Sequence, residues 1–319
     1  MRKVGIIFFL LTVVSCNQSR VATKGVSLSP VLEIDQFSDS TFFSDIRSMY
    51  AYQDRVYVSD YTRSQVMVLN NNGILISTVS SQGQGPGELI GPSSLFVHDD
   101  TLYVYDDKRK ISVFYKDKYL RSFDVPTGLG GTRFGLSGKH VIVANLEHPN
   151  SLAIVDTHTD SIVHFGQMFD FRSIERNRLR NGRFVLIQDS FVYAVSDNQP
   201  IVEKYSLQGN FIDSYDYSDV KIVNEKLSYV QRMPEEEKSY YILVNDCYLQ
   251  NNKLYLLLVT RKEDRMQSNI VLEMDITRTM QVDKIYNLGE GWFKSICGMS
   301  DCLWAFNRTK ATLVKYKIP

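Results

Sequence analysis

The chain has 319 residues, and its 36 lysines and arginines balance its 36 aspartates and glutamates. Zero net charge gives no long-range field that would favour nucleic acid or an anionic membrane surface, so we expect neither as a partner. The 44% hydrophobic content is typical of an ordered globular protein.

The first residues have the pattern of an export signal. A basic start at Arg2 and Lys3 precedes an apolar run over residues 4–14, which is too short for a membrane-spanning helix of about twenty residues. The pattern therefore predicts a cleaved signal over residues 1–15. The sequence Val-Val-Ser-Cys at 13–16 resembles the lipobox of bacterial lipoproteins, which implies that Cys16 becomes the lipidated first residue. An ordinary signal peptide that contains a cysteine is the alternative.

The residues after Cys16 connect this anchor to the rest of the chain. Residues 16–29 are polar and without pattern, so we expect a flexible tether. They lack the acidic cluster that resembles a surface-export signal in such bacteria. We therefore expect a lipid-anchored, periplasm-facing protein of the cell envelope whose only contact with the membrane is the lipid.

From residue 30 to residue 319 one pattern recurs six times. Each copy contains a short apolar run that ends in a turn, and the runs start roughly 40 to 60 residues apart, the size of a propeller blade. The runs are 57–60 (YVSD), 103–106 (YVYD), 142–145 (IVAN), 194–197 (AVSD), 257–260 (LLVT) and 304–307 (WAFN).

Further strand-like segments surround each run. An apolar stretch with a tight polar turn precedes it, as in MYAYQD, and a third strand follows it, as in VMVLNN. Five copies add a fourth strand, as in ILISTV. Short strands rich in Val, Ile, Tyr and Phe between Asn, Asp and Gly turns predict an all-β, six-bladed propeller of four-stranded antiparallel blades.

The sixth copy lacks a fourth strand, because the sequence stops directly after its third. Residues 31–39 (VLEIDQFSD) have the alternation and the length of the missing strand. We therefore expect this N-terminal strand to complete the last blade and close the ring, which would cover two strand edges. Because each blade packs on its neighbours, residues 30–319 are expected to form one domain and a monomer.

Three cysteines remain besides Cys16. Cys297 and Cys302 flank the first turn of the sixth blade and could face each other across a hairpin, although spacing alone does not fix disulfide geometry. Cys247 lies in an apolar first strand, which predicts a buried small hydrophobe.

A glycine-rich loop joins the first two predicted blades. Three glycines around one proline allow positive φ angles and a tight turn over the ring. A phosphate-binding loop is the alternative, but no Lys-Ser/Thr pair follows and no helix is predicted to receive a phosphate. The residues of this loop motif are Gly83, Gly85, Pro86, Gly87 and Glu88.

The GQGPGEL sequence at 83–89 and the YVSD-type strand ends resemble the six-bladed propeller lipoproteins of Bacteroidetes-type bacteria, which are TolB-like and related to NHL repeats. The resemblance covers the whole mature chain in architecture. The motif itself is well kept once and is degenerate at 127–131 (TGLGG) and 288–291 (LGEG). The resemblance implies a fold and a cell-envelope location but no activity, since most members of the family have none assigned.

Extra chain length gathers at one rim of the predicted ring. In a propeller, the connections from fourth to first strands and from second to third strands emerge on the same rim, where long loops commonly build binding surfaces. The insertions are residues 166–182, the acidic and tyrosine-rich residues 216–238, and a loop at 261–268. The candidate binding residues in the first insertion are Phe169, Phe171, Arg172, Arg176, Arg178 and Arg180.

Guanidinium groups bind carboxylates in bidentate fashion, and aromatic faces pack on sugars or side chains. The expected partner of this rim is therefore an envelope protein, a peptide or an acidic glycan. Two alternatives remain. In the first, the insertions are solvated covers, and the second insertion forms a short helix around 222–232 across the channel mouth. In the second, the glutamates at 235–237 pair with the arginines and hold the loops together.

Candidate metal ligands are sparse. His158 lies in the segment 156–160 (DTHTD), which would suit a metal on one strand face, although a polar hairpin turn explains the pattern more simply. Asp60, Asp106 and Asp197 end second strands, where such side chains commonly bond the backbone of a turn. A ring of them near the axis could instead hold Ca²⁺ through oxygen ligands.

Two classes of function follow from these patterns. The first is a non-catalytic, lipid-anchored binding propeller, and the second is a Ca²⁺-dependent hydrolase or lyase with an active site at the channel mouth. Fold does not decide between them. The sequence shows no convergent cluster of His, Asp and Glu, and none of its five histidines lies in a catalytic motif, which favours binding.

Overall fold

The computed structural model of the protein describes residues 24–37, 41–147, 149–277 and 280–319. The predicted signal over residues 1–15 and the predicted lipid site Cys16 lie outside these residues. In the described residues, six mainly antiparallel sheets follow one another around a ring.

The strands of the first three blades follow in chain order. Two strands come first, β1 (Lys24–Ser27) and β2 (Pro30–Ile34). Blade one consists of β3 (Ile46–Tyr52), β4 (Arg55–Asp60), β5 (Gln65–Asn70) and β6 (Leu75–Val79). Blade two consists of β7 (Ser94–His98), β8 (Thr101–Tyr105), β9 (Lys110–Tyr115) and β10 (Lys118–Asp124). Blade three consists of β11 (Leu129–Ser137), β12 (His140–Asn145), β13 (Leu152–Asp156) and β14 (Ile162–Phe165).

The last three blades contain both helices of the described chain. Helix α1 (Ile174–Arg180) precedes blade four, which consists of β15 (Arg183–Gln188), β16 (Phe191–Ser196), β17 (Ile201–Ser206) and β18 (Phe211–Asp216). Helix α2 (Lys221–Val230) precedes blade five, which consists of β19 (Val244–Gln250), β20 (Lys253–Lys262), β21 (Arg265–Asp275) and β22 (Gln281–Asn287). Blade six contains β23 (Phe293–Met299), β24 (Cys302–Asn307) and β25 (Thr312–Lys317).

The predicted all-β, six-bladed propeller is confirmed. All six predicted first, second and third strands and all five predicted fourth strands are present in the predicted order. The first strands β3, β7, β11, β15, β19 and β23 contact one another around the ring. They therefore form its inner wall, and their unpaired edges face a central channel.

The core lies between the blades. Side chains alternate across each strand, and both faces of a blade are covered by neighbouring blades, so central strands such as β4 are buried almost throughout. Six apolar clusters result, one at each interface between successive blades. Trp304 of blade six, for example, packs in one cluster with Met67 and Leu69 of blade one.

Strand β2 closes the ring as predicted. It pairs antiparallel with β25, with Leu32 opposite Lys315 and Ile34 opposite Leu313, and so supplies the fourth strand of blade six. Leu32 and Ile34 pack against the cluster between blades six and one. The predicted strand extended to residue 39, whereas β2 ends at Ile34 and residues 38 and 39 lie outside the described chain.

The prediction of a patternless tether up to residue 29 is wrong at its C-terminal end. Strand β1 pairs in parallel with β22 and adds a fifth strand to blade five, with backbone partners from Lys24 and Lys284 to Ser27 and Asn287. The outer edge of β22 offers free backbone groups, and pairing with them requires little side-chain pattern. A four-residue strand of this kind leaves no clear signal in the sequence.

The two rims of the ring differ in construction. We name the rim with the fourth-to-first and second-to-third connections the insertion rim, because it carries α1, α2 and the turn between β20 and β21. The opposite turn rim is built from short hairpin turns that contain residues with positive φ, such as Asn251 and Asn252. Neither helix of the described residues has the length and apolar character needed to cross a membrane.

Candidate binding surface on the insertion rim

Two of the four candidate arginines hold the two insertions together. Arg176 Nη1 and Arg180 Nη1 each donate to a different carboxylate oxygen of Glu235, at 2.8 Å. Arg180 Nε also donates to the backbone carbonyl of Ser239, at 2.8 Å. Hydrogen bonds from Arg180 and Arg176 lower the pKa of Glu235. This clamp corresponds to the alternative in which acidic residues of the second insertion pair with arginines of the first.

The other two candidate arginines are exposed. Arg178 Nη2 lies 3.2 Å from Glu175 Oε2 within α1. The backbone nitrogen of Arg172 donates to Asp170 Oδ1 at 2.8 Å, in a turn where Arg172 has a positive φ. The structure therefore divides the predicted cluster into two clamping residues and two surface residues.

The candidate aromatic residues are covered by cations. The guanidinium carbon of Arg180 lies 5.4 Å from the ring centre of Phe171, and that of Arg183 lies 5.0 Å from the ring centre of Phe169. The two phenylalanine rings also contact each other edge to face. These cation–π contacts stabilise the first insertion and reduce the aromatic area that a sugar could pack on.

Helix α2 forms where the second insertion was expected to contain a short helix. Val223 is fully buried, and it packs with Ile222 and Leu227 into the core between blades four and five. Helix α2 also contacts β20, and Lys226 Nζ lies 3.2 Å from the sulfur of Met266 in β21. The helix therefore covers this interblade core, whereas the first strands line the channel.

The third predicted insertion is not a loop. Strands β20 and β21 continue as a paired ladder to Lys262 and Arg265, and only Glu263 and Asp264 form the turn. The predicted loop at 261–268 is therefore wrong. Alternating polar residues at this end of the hairpin project above the blade, so they read as loop in the sequence although their backbones are paired.

A polar groove of about 360 Å³ lies between α2 and this hairpin. The guanidinium carbon of Arg261 lies 3.9 Å from the ring centre of Tyr229, and Arg261 also pairs with Asp264. The groove thus presents amide, hydroxyl and charged groups of both signs, with its aromatic face covered. Its lining residues are Asn224, Glu225, Ser228, Tyr229, Arg232, Arg261, Glu263 and Asp264.

The central channel contains a buried ion pair that the sequence did not indicate. Arg133 of β11 donates from Nε and Nη2 to the two carboxylate oxygens of Asp246 in β19, at 2.8 and 2.7 Å. The same guanidinium donates to the carbonyls of Met49 and Ile296, both at 2.9 Å. Asp246 accepts from Ser295 Oγ at 2.7 Å and from the Ile296 nitrogen at 2.9 Å.

This network satisfies backbone groups on the inner edges of the first strands, which have no strand neighbour on the channel side. A cavity of about 70 Å³ adjoins it, lined mainly by aromatic and aliphatic residues that follow the ion pair toward the turn rim, such as Phe96, Ile187 and Leu249. Arg133 is 2% exposed and closes one side of this cavity.

The residues that end the second strands bond the backbone of turns, as the simpler interpretation predicted. Asp60 accepts from the nitrogens of Ser44 and Arg63, and Asp106 accepts from those of Lys108 and Lys110. These carboxylates belong to different blades. In the described residues, no group of three His, Cys, Asp or Glu side chains could hold a metal ion.

Asp197 differs from the other strand-end residues. Its Oδ1 atom is buried and accepts no protein hydrogen bond in the described structure. Burial raises the pKa of Asp197 to about 6, against a partial lowering by Arg183. Its backbone carbonyl accepts from Leu243 and Val244, so the residue still joins the end of β16 to the chain that enters blade five.

The glycine-rich loop is folded around its own glutamate. The Gly85 nitrogen donates to Glu88 Oε2 at 2.7 Å, and Gly83 and Leu89 bond through their backbones. A side chain on Gly83 would overlap Glu88, and Gly87 has a positive φ next to Tyr119. These contacts support the interpretation of a structural turn between blades one and two.

The remaining predicted features have structural explanations. Asp156 Oδ1 accepts from the nitrogens of His158 and Thr159, which makes the segment a hairpin turn. Cys297 and Cys302 are free thiols, since Cys297 pairs in register with Trp304, and the possible disulfide is absent. Cys247 is fully buried, as predicted.

The fold defines the class of protein, a six-bladed β-propeller. A family model for DUF5128, described as a 6-bladed beta-propeller, matches residues 14–127. No curated protein matches the chain.

Two solved structures from Bacteroides are similar to the chain over nearly their whole length. One, from Bacteroides fragilis and described as exported, has 13% identity and a TM-score of 0.60, with coverage of 92% of this chain and 99% of its own. A DUF4221 family member from Bacteroides vulgatus has 8% identity and a TM-score of 0.60, with 91% and 97% coverage.

Another similar structure is a catalytically inactive variant of virginiamycin B lyase from Staphylococcus aureus with quinupristin. It has 10% identity and a TM-score of 0.51, and the match covers 90% of this chain and 88% of the lyase. At these identities the similarity extends to the fold alone.

Proposed function

We propose that this protein is a lipid-anchored binding module of the bacterial cell envelope, and that it binds a polar, charged peptide segment of an envelope protein through its insertion rim. The observation that carries this proposal is the groove between α2 and the β20–β21 hairpin. The anchor is Cys16, and the cell-envelope location is supported by the export-signal pattern and by similarity in fold to a Bacteroides protein described as exported.

The chemistry of the groove favours a peptide over a glycan. Glu225 on the helix, Arg232 just after its C-terminal end, and Arg261 and Glu263 on the hairpin place both signs of charge along its walls. Such a surface complements a segment with charges of its own and fixes its register. Sugars favour a free aromatic face, and the Tyr229 face is occupied by Arg261.

The clamp formed by Glu235 supports the same proposal. Binding loops that are already ordered lose less conformational entropy when a ligand binds. Arg176 and Arg180 hold the two insertions in one arrangement in the free protein. The candidate arginines therefore act mainly by positioning the rim, while Arg172 and Arg178 remain available at its surface.

A charge-reversal experiment tests the groove. The variant Glu225→Lys/Arg232→Glu inverts the two charges on the α2 side of the groove. Both positions are exposed, and the ion pair of Glu225 with Lys221 at 3.9 Å contributes little to stability. The matched control Asp301→Lys/Lys317→Glu reverses two exposed charges on the turn rim, which likewise form a 3.9 Å pair. We expect photo-crosslinking from Ser228 in whole envelopes to yield a defined protein adduct in wild type and control but not in the groove variant, with equal melting temperatures. Identical adducts in all three proteins, or adducts with glycan alone, would contradict the proposal.

A further inference from the structure

Strand β1 fixes where the N-terminal segment leaves the propeller. It runs parallel to β22, and β22, as a fourth strand, runs from the turn rim to the insertion rim. The chain therefore enters β1 from the side of the turn rim. Lys24, the first residue of the strand, pairs with Lys284, which in turn pairs with Glu273 of β21.

The position of Lys24 along the blade can be compared with both rims. Strand β21 continues about two residues beyond Glu273 toward the turn rim, or ~7 Å at ~3.3 Å per residue. In the other direction, about nine residues separate Glu273 from Asp264 at the hairpin tip, or ~30 Å. The start of β1 is therefore much closer to the turn rim than to the outermost point of the insertion rim.

The tether is too short to reverse this relationship. About eight residue steps separate Cys16 from Lys24, and a fully extended chain covers at most ~3.5 Å per step, or ~28 Å. A lipid at Cys16 can therefore extend well below the turn rim. It cannot pass the hairpin tip. The tether would have to turn back along the blade, and its full length of ~28 Å does not exceed the ~30 Å from the level of Lys24 to Asp264.

We propose that the propeller stands on the membrane with its turn rim facing the bilayer and its insertion rim facing away. This inference rests on the proposed lipid anchor at Cys16. The groove between α2 and the β20–β21 hairpin then faces the aqueous space of the envelope, within reach of proteins that are not embedded in the same membrane.

The turn rim itself does not anchor the protein. Its hairpin turns carry exposed aspartates together with exposed lysines such as Lys317, so the rim offers no single sign of charge to anionic headgroups, and charged side chains are costly to place within a bilayer. Orientation is therefore set by the place where the tether joins the blade. The exposed aspartates are Asp54, Asp99, Asp100, Asp160, Asp189 and Asp301.

Two matched labels measure the orientation. In a Cys302→Ser background, Cys16 carries the proposed lipid, and Cys247 and Cys297 are buried. Lys262→Cys then places a label at the hairpin tip, and Lys317→Cys places one at the turn rim. Both positions are exposed lysines at strand ends. The full lipidated protein is reconstituted into phosphatidylethanolamine–phosphatidylglycerol vesicles that contain an acceptor dye on a lipid headgroup, and energy transfer is measured.

We expect several-fold more transfer from position 317 than from position 262. Equal transfer, as for a propeller lying on its side, or stronger transfer from position 262 would overturn the proposed orientation. A Cys16→Ser protein distinguishes a failure of the proposed anchor from a failure of the proposed orientation. If the wild-type protein binds vesicles no better than this variant, the lipid anchor itself is contradicted. A flexible twenty-residue Gly/Ser insertion after Arg20 should reduce the difference between the labels.

Discussion

Arg133 and Asp246 form a bidentate ion pair across the central channel, at 2.8 and 2.7 Å, although they belong to blades three and five. Further bonds from this pair reach Met49 of blade one and Ile296 of blade six. One pair of side chains thus connects four of the six blades near the axis. Because Arg133 and Asp246 are 2% and 4% exposed, the bonds are made out of contact with solvent.

Removing one partner of this pair should strongly destabilise the protein. Arg133→Met leaves the Asp246 carboxylate buried without its counter-charge, which typically costs about 3 to 5 kcal/mol. Urea unfolding measures the change in the free energy of unfolding. The control Arg178→Met, which breaks an exposed pair with Glu175, should cost less than about 1 kcal/mol.

The double variant tests whether the two residues act as one unit. Arg133→Met/Asp246→Leu removes both charges, so its loss of stability should be clearly smaller than the sum of the two single losses. If the loss in the double variant equals the sum of the two single losses within about 0.5 kcal/mol, the two residues stabilise the protein independently of each other.

The sequence predicts the blades better than it predicts the contacts between them. Strand positions follow from local alternation and turn residues, which is why even the closing strand β2 could be identified by counting strands. Arg133 and Asp246 lie far apart in the chain and in different copies of the repeat, so no local pattern relates them. Strand β1 was missed for a different reason, because it is held by backbone pairing with β22.

The candidate site was predicted only in outline. Excess length located the insertion rim, and the pairing of acidic residues with arginines was one of the stated alternatives. Sequence could not indicate that Glu235 alone would bind both Arg176 and Arg180, since all three neighbouring glutamates carry the same charge. The groove exists because β20 and β21 continue beyond the blade to Lys262 and Arg265. The sequence did not show this, because the polar residues of these strand ends resemble a loop.

Ring closure predicts that two positions of β2 tolerate a charged side chain very differently. Ile34 is partly buried against the cluster between blades six and one, whereas Val31 is 60% exposed. We expect Ile34→Asp to lower the free energy of unfolding by about 2 kcal/mol or more, because an apolar contact is lost and a charge is brought to the core. Val31→Asp in the same strand should change it by less than about 0.5 kcal/mol. Equal thermal melting of the two variants would show that β2 does not close the ring.

The Glu235 clamp predicts a local effect. Glu235→Ala removes the counter-charge of Arg176 and Arg180, so residues 233–241 should detach from α1 more often while the blades stay folded. Hydrogen exchange should become several-fold faster in this segment and remain unchanged in β19. Glu237→Ala, at an exposed position two residues further on, is the control. Equal exchange in both variants would mean that the remaining bond from Arg180 to Ser239 suffices to hold the insertions.

Asp197 predicts a stability that decreases as the pH rises. Burial raises its pKa from 3.8 to about 6 in the folded protein, so between these values the folded state binds more protons than the unfolded state. Its contribution therefore falls between about pH 4 and pH 6, by up to about 3 kcal/mol at 1.36 kcal/mol per pKa unit. Asp197→Asn, which introduces the residue found at the corresponding Asn145 and Asn307, should become more stable relative to wild type over this interval and hold a constant difference above it.

The opposite sign is expected for Asp156→Asn, because a hydrogen bond from Lys139 lowers the pKa of Asp156 and the wild-type contribution is lost as the pH falls. Urea unfolding distinguishes these cases, from pH 4 to pH 8 for Asp197→Asn and from pH 5 down to pH 2 for Asp156→Asn, each against wild type. A difference between wild type and Asp197→Asn that does not vary with pH would contradict the buried protonated carboxyl.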